Sequence, residues 1–461
     1  MKKIISLFRE ALSGEEKDFT TGSINRAILL LSIPMVLEMA MESLFAVVDV
    51  FFVSQVGIEA VATVGITEAV VTLVYSFAIG ISTAPAAFVA RRTGEHRPEL
   101  AAVGAAQAIW IAFVLSLLIG LAGIFFAEDI LRLMGGGERV VRTGSGYTRI
   151  ILGGNLVIML LFLLNGVFRG AGDAALAMRS LWLANGINIV LDPIFIFGWG
   201  PVPAMGVEGA AIATTIGRGV GVGYQLYMLF GGRSLVRLAW HHFTLRWEVI
   251  RSIARVAASG AFQFIVASAS WIVLMAIIAQ LGSEAVAGYT IAIRLIVFTI
   301  LPSWGLGNAA ATLVGQNLGA HQPGRAETSV WRSAFFNMVF LTSVGLVFFA
   351  FARPIIELFS QEATVVQAGV ITLRVICLGY VFFSYGMVLS QAFNGAGDTL
   401  TPMFINIFCF WLMEIPLGYL LAIQLGLGLL GVCLSVAISE TTLAILAILI
   451  FRRGRWKKVR I

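Results

Sequence analysis

The chain has 461 residues, of which 59% are hydrophobic and only 12% charged, and its formal net charge is +6. Its mean hydropathy is +0.93, whereas a soluble domain has about a quarter of its residues charged. So little polar surface excludes a water-soluble globule and indicates an all-α integral membrane protein.

Twelve apolar stretches are long enough to cross a bilayer, which needs about 20 residues. In chain order they are 27–54, 61–89, 100–126, 148–168, 176–199, 206–230, 253–281, 286–314, 327–351, 368–393, 401–424 and 428–451. We therefore predict a segment 1–26, an N lobe over 27–231, a linker 232–252, a C lobe over 253–451 and a basic tail 452–461.

Lys and Arg are distributed unequally between the two sides of this topology. Most of the 31 fall on the side of both termini, which includes Arg91, Arg92 and the tail. The opposite loops hold six: Arg132, Arg139, Arg142, Arg149, Arg353 and Arg374. Because Lys and Arg are retained on the cytoplasmic side, we expect a multi-pass protein of the cell membrane with both termini cytoplasmic. The positive charge then reflects contact with anionic lipid, not nucleic-acid binding.

The two halves repeat one another at a constant offset of 225. Arg169 and the GAGD that follows it recur as Asn394 and a second GAGD, and Gly94, His96 and Pro98 recur as Gly319, His321 and Pro323. Each unit has six spans, so both units enter and leave on the same side. The sequence thus predicts two six-helix bundles related by a pseudo-two-fold axis along the membrane normal, an arrangement typical of secondary transporters.

Three carboxylates lie inside the first span: Glu38, Glu42 and Asp49. At about 100° per residue, they fall within about 40° of one another on a face shared with Pro34 and Phe45. Carboxylates at this depth are costly and mark functional sites. Pro34 is a candidate hinge.

The fifth span repeats this pattern with Asn185, Asn188 and Asp192, and Thr214 of the sixth span reaches a similar depth. Arg218 and Glu440 occupy equivalent repeat positions near mid-membrane. They could pair across the lobes or each be satisfied locally, and the sequence leaves both open. Glu414 is an isolated acid in the eleventh span.

Several motifs together resemble the multidrug and toxic compound extrusion (MATE) family. They are the two GAGD connections, the Ile-Pro-Met of the first span, NIVLDPIFIFGWG of the fifth, GVEGAAIAT of the sixth and the ILRLMG…YTRI stretch. The resemblance implies an exporter with N and C lobes that couples outward drug movement to inward H⁺ or Na⁺.

The resemblance also implies roles for particular residues. Asp49, Asn188 and Asp192 fall on the acidic network of the family's N lobe, and Tyr147 on a tyrosine near it. Some members carry essential acids in spans seven and ten, where this chain has Gln263 between two phenylalanines and no acid. Coupling is therefore expected in the N lobe alone, as in the DinF-like branch. We expect Glu38, Glu42, Phe45, Asn185 and Gln263 to line the substrate cavity. Glu38 and Glu42 depart from the common pattern of the family: they could line the cavity and attract cations, or be neutral and hydrogen-bonded, and the sequence leaves both open.

Two other functions are possible besides the export of amphipathic cations: a flippase and a membrane enzyme. A lipid-linked oligosaccharide flippase would need basic residues in its cavity, and a membrane enzyme would need clustered catalytic groups, whereas all four histidines lie in loops. There is no GxxxxGK[ST] motif, so we do not expect this chain to use energy from ATP.

We expect no cofactor and no metal ion other than Na⁺ at Asp49, Asn188 and Asp192. The expected partners are small-molecule substrates and lipid, with a functional monomer.

Overall fold

The computed structural model describes residues 2–14, 18–135 and 137–461, and the chain is a twelve-span helical bundle, as the sequence predicted. An amphipathic helix, α1 (Lys2–Ser13), precedes the spans. The N lobe contains α2 (Ile24–Ser54), α3 (Ile58–Gly94), α4 (Pro98–Leu133), α5 (Glu138–Gly153), α6 (Asn155–Ala171), α7 (Ala174–Phe197) and α8 (Val207–Phe230).

The C lobe contains α9 (Trp247–Ala279), α10 (Ser283–Gly319), α11 (Pro323–Ala350), α12 (Ala352–Glu357), α13 (Ala363–Leu378), α14 (Tyr380–Ala396), α15 (Leu400–Asn406), α16 (Ile415–Tyr419) and α17 (Leu429–Arg452). Two π-helical segments, Ile407–Glu414 and Leu420–Gln424, continue α15 and α16 into one span. In each half the fourth span is a pair of helices, α5 with α6 and α13 with α14, and the second pair bends by 59°.

Helix ends extend beyond the apolar stretches. The fourth span begins at Glu138 and the seventh at Trp247, earlier than the hydropathy indicates. Charged and polar residues at these ends can adopt a helical conformation, but a hydropathy profile does not identify them as part of the span.

Glycines of the repeat place the two lobes in reciprocal contact. A Cβ on Gly94 would lie 1.9 Å from the carbonyl oxygen of Gln316, and a Cβ on Gly319 would lie 2.1 Å from that of Arg91. Gly319 is the repeat equivalent of Gly94, and Gln316 is the repeat equivalent of Arg91. The repeat symmetry therefore relates the two contacts to each other. A two-fold axis therefore passes between α3 and α10 at this end of the bundle.

A second reciprocal pair lies further along the same helices. Gly80 packs against the backbone of Ala261, and its equivalent, Gly305, packs against that of Val36. The absence of a side chain lets the helix backbones approach closely. The lobes are thus closed against each other on the side where α3 and α10 end, which we call the terminal face because both chain termini lie there.

The tail also crosses the terminal face. Trp456 is fully buried and stacks on Phe451 in the C-lobe core at 4.5 Å between ring centroids. Ile461 packs against the N-lobe core, and Arg92 donates a hydrogen bond to its carbonyl oxygen at 2.5 Å. The basic tail predicted from the sequence is therefore a folded connection between the lobes.

The segment before α2 makes a similar connection. Arg325 of α11 donates to the carbonyl oxygens of Thr21 at 2.6 Å and Gly22 at 2.9 Å. Burial raises the pKa of Asp18, but hydrogen bonds from Thr20 and the nearby charges of His96 and Arg325 outweigh it and hold this pKa below its usual value.

Candidate functional site

A cavity of about 320 Å³ lies between the lobes. It extends from Arg169 and Asn394, near the terminal face, to Asp49 and Glu68 in the opposite half of the bundle. The four charged residues that line it all belong to the N lobe: Glu42, Asp49, Glu68 and Arg169.

The C-lobe wall is uncharged along the described lining. It contributes Phe264 and Trp304, whose rings stack 5.5 Å apart, together with Gln391 and Asn394. The cavity therefore has one acidic wall and one apolar, aromatic wall, which suits an amphipathic cation better than a neutral polar solute.

Asp192 lies behind the acidic wall in a buried hydrogen-bonded group. Asn188, one helical turn earlier, donates to Asp192 Oδ1 at 3.2 Å and to Thr214 Oγ1 at 3.1 Å. Asp192 is 0% exposed. Its Oδ2 and the Oδ1 of Asn188 have no hydrogen-bond partner among the described residues. Two buried oxygens left in this way call for a bound ion, a water or a proton.

Asp49 connects this group to the cavity. It lies on α2, lines the cavity and is within electrostatic range of Asp192, Glu68 and Arg218. Tyr147 is buried within range of both aspartates. In the described part of the chain, no Lys or Arg nitrogen lies within 4.0 Å of either aspartate. The structure thus brings together the residues predicted for cation coupling.

The other two acids of α2 have direct cationic partners. Glu42 Oε1 accepts from Arg218 at 3.0 Å, and its Oε2 accepts from Asn185 at 3.0 Å. Arg218 is only 1% exposed, and the rings of Phe45, Tyr75 and Phe162 surround its guanidinium at 5.1 to 5.9 Å. Of the two possibilities for Arg218, the structure thus has the local pair and not the pair with Glu440.

The sequence of the chain matches one protein family twice. The MatE family profile covers residues 34–194 and again 260–420, one match in each half. The chain belongs to the MATE family. Its relatives are transporters, so it is a transporter and not an enzyme.

Individual relatives cover nearly the whole chain. It is 27% identical to a probable multidrug resistance protein NorM of Thermotoga maritima, over 98% of this chain and 97% of that protein. It is 28% identical to an FAD transporter of Shewanella oneidensis, over 87% and 88% of the two chains. A solved outward-facing conformation of a multidrug resistance MATE family transporter superposes with a TM-score of 0.88 at 28% identity, covering 95% of this chain and 98% of the other.

Three residues predicted for the cavity of this MATE chain lie outside its lining. Glu38 is buried between Asn165 at 2.9 Å and Arg169 at 3.2 Å, while Asn185 donates to Glu42 and Gln263 is buried. Glu42 and Phe45 do line the cavity. Periodicity identifies a polar face but does not say which part of that face meets a neighbouring helix.

Sequence reasoning missed Glu68 and Arg169 as cavity residues. Glu68 is exposed in the second span, within electrostatic range of Arg294 on the C lobe. The criterion applied to the first span, an acid within an apolar stretch, would have found it. Arg169 stands beside a loop motif, and only the packing of α6 shows that it reaches the cavity.

Pro34 is the predicted hinge, and α2 runs unbroken from Ile24 to Ser54 with Pro34 inside it. The next residues, Met35 and Val36, contact Gly305 of the C lobe. A bend here would change the contact between the lobes, and the hinge stays a prediction.

One cluster of potential metal ligands lies at the start of α4. Oxygen or nitrogen atoms of Glu99, His241 and His242 lie within 4.8 Å of one another. The Nδ1 atom of His242 accepts a hydrogen bond from the backbone of Ala239 at 3.0 Å. The proton of the neutral ring is therefore on Nε2, which donates to Glu99 at 2.8 Å. This hydrogen bond holds the linker against α4. It also occupies Nε2 of His242, the atom that would have to bind a metal ion here.

Proposed function

We propose that this transporter is an antiporter that exports amphipathic, often cationic, drugs in exchange for H⁺ or Na⁺, with coupling in the N lobe. The observation that carries the proposal is the group of Asp192, Asn188 and Thr214, with two buried oxygens that lack partners, next to the cavity residue Asp49.

The charge balance of the N lobe supports a cation at this group. Glu38 and Glu42 each have an arginine as direct partner, whereas Asp49 and Asp192 have none within 4.0 Å in the described residues. An uncompensated carboxylate inside the bilayer costs several kcal/mol. A proton, or Na⁺ held by the oxygens of Asp192, Asn188 and Thr214, would remove this cost.

Coupling then follows from competition for one acidic region. We take the terminal face as cytoplasmic, on the distribution of Lys and Arg, so the closed face makes this an outward-facing state. An ion entering from outside cancels one of the two negative charges of the aspartates and so removes the repulsion between them. A bend of α2 near Pro34 narrows the cavity and displaces a bound cation outward. Opening to the cytoplasm releases the ion and resets the site.

The FAD transporter among the relatives raises a second candidate cargo, an anionic nucleotide. Its phosphates would need basic residues, and among the described lining residues the one base is Arg169, which is already paired with Glu38. The three carboxylates on the same wall would repel an anion. The same reasoning weighs against a lipid-linked oligosaccharide.

The test is export from proteoliposomes with a pH gradient or a Na⁺ gradient imposed separately. Asp49→Asn and Asp192→Asn should each reduce gradient-driven export to the level of protein-free vesicles while keeping expression and thermal stability near wild type. Glu284→Gln, which changes an exposed C-lobe acid, is the matched control. Wild-type export in both aspartate variants would overturn N-lobe coupling.

A further inference from the structure

The C lobe contains two membrane-embedded carboxylates that the proposed cycle does not use. Glu414 is 3% exposed, and its Oε2 accepts a hydrogen bond from Ser439 at 2.9 Å. Glu440 follows Ser439 on α17 and lies within electrostatic range of Glu414. Among the residues that the structure describes, no basic side chain pairs with either acid.

The positions of these acids correspond to the N-lobe site. The backbone N–H of Gly206 bonds to the carbonyl oxygen of Ile196, and that of Gly428 bonds to the carbonyl oxygen of Ala422, so Ala422 takes the position of Ile196 and Glu414 takes that of Asn188. Glu440 follows Gly428 by 12 residues, as Arg218 follows Gly206. Both glycines have a positive φ, 56° and 57°, immediately before the last span of each lobe. The C lobe therefore has an acid at the position of Asn188, one helical turn before the position of Asp192, and a second acid in place of Arg218.

A buried hydroxyl lies beside this pair. Tyr289 of α10 is 1% exposed, and its Oη has no hydrogen-bond partner among the described residues. It packs in one cluster with Ile415, which follows Glu414, and with Val436, one helical turn before Ser439. It is also within electrostatic range of Cys433 and Glu414. A buried polar atom without a partner is destabilising and calls for a ligand.

The backbone at Glu414 is also unusual. The segment Ile407–Glu414 is π-helical, and π-helical turns are frequent at functional sites. The span continues as an α-helix for only five residues, Ile415–Tyr419, before the second π-helical segment.

We propose that the C lobe binds its own monovalent cation, H⁺ or Na⁺, at Glu414, Ser439 and Glu440, with the hydroxyl of Tyr289 beside it. This site is additional to the N-lobe site of the proposed function. The titratable groups that face it are Cys409 on the same span, Cys433 and Glu440 on α17, and Tyr289 on α10. None of these brings a positive charge, so the cation itself supplies the compensation that Arg218 supplies to Glu42.

The experiment counts bound cations on the purified full-length chain in detergent. Equilibrium binding of ²²Na⁺ is measured at fixed pH. Proton uptake is measured by potentiometric titration without Na⁺ between about pH 6 and pH 8, where an ordinary exposed carboxylate is already ionised and contributes nothing. The variants are Glu414→Gln, Glu440→Gln, Asp192→Asn and the double variant Glu414→Gln/Asp192→Asn. Glu284→Gln is the control, and circular dichroism and size-exclusion chromatography check the fold.

The wild-type chain should bind two equivalents. Glu414→Gln and Glu440→Gln should each lose one, seen in the ²²Na⁺ count if the cation is Na⁺ and only in the proton count if it is H⁺. Asp192→Asn should lose the other equivalent, and the double variant both. If Glu414→Gln does not fold, Glu414→Asp should fold and bind its cation at least tenfold more weakly.

Wild-type counts of both Na⁺ and H⁺ in Glu414→Gln and Glu440→Gln would overturn the C-lobe site. Wild-type counts in Asp192→Asn alone would instead overturn the N-lobe site and leave this one standing. The failure of one proposal is therefore distinguishable from the failure of the other.

Discussion

The two lobes share one fold but balance their buried charges differently. In the N lobe, Glu38 pairs with Arg169 and Glu42 pairs with Arg218. The repeat positions of Glu38 and Arg169 in the C lobe hold Gln263 and Asn394, which are neutral. The equivalent of Arg218 is Glu440, an acid.

This difference shows that the repeat conserves shape more strictly than charge. The glycine contacts between α3 and α10 are reciprocal to within 0.2 Å, at 1.9 and 2.1 Å, because both lobes must meet at the same axis. Buried charges do not meet at the axis, so each lobe can use its own set. The N lobe therefore has two acids paired with arginines, Glu38 and Glu42, whereas Glu414 and Glu440 of the C lobe have no basic partner among the described residues.

The strongest way to test this comparison is to remove the internal base of the N lobe. Arg218→Met should leave the half-buried Glu42 without its partner and lower the free energy of unfolding by about 3 kcal/mol, the low end for a broken buried ion pair, seen as a large drop in the thermal unfolding midpoint. Adding Glu42→Gln should recover part of the loss. The interlobe swap Arg218→Glu/Glu440→Arg should recover none, and recovery in that swap would show that the two residues pair across the lobes.

A smaller effect is expected at the ion pair of Glu38 and Arg169, whose repeat counterparts in the C lobe are neutral. Glu38→Gln alone should cost about 2 kcal/mol, because Arg169 loses a charged hydrogen-bond acceptor. Glu38→Gln/Arg169→Asn copies the C-lobe residues and should cost less than Glu38→Gln alone. Chemical unfolding of the three proteins in the same detergent measures this, and additive losses in the double variant would contradict the pairing.

The smallest difference between the lobes is expected where they are alike. Gly94→Ala and Gly319→Ala should each destabilise the closed terminal face by about 3 kcal/mol, at the high end for overpacking, because each new Cβ would lie 1.9 or 2.1 Å from a backbone carbonyl oxygen of the other lobe. The measurement is the labelling rate of a cysteine placed at Thr312, in the cavity wall, from the terminal face. The two variants should speed labelling equally, and a clear difference between them would break the two-fold symmetry inferred here.

Much of the architecture could be predicted from the chain itself. Apolar length indicates twelve spans, and the offset of 225 indicates two equivalent units. The acids of the first and fifth spans stand out because charge is rare at that depth. These features are local in sequence or depend on residue spacing, so they need no knowledge of packing.

Which charges meet was decided only by the tertiary structure. The 100° rotation per residue places Glu38, Glu42 and Asp49 on one face of α2, yet Glu38 meets α6, Glu42 meets α8 and Asp49 meets the cavity. Arg218 could pair with Glu42 or Glu440 on sequence grounds, and the packing of α8 beside α2 selects Glu42. Periodicity determines the direction of a side chain about its own helix axis, whereas its partner depends on how helices distant in sequence pack together.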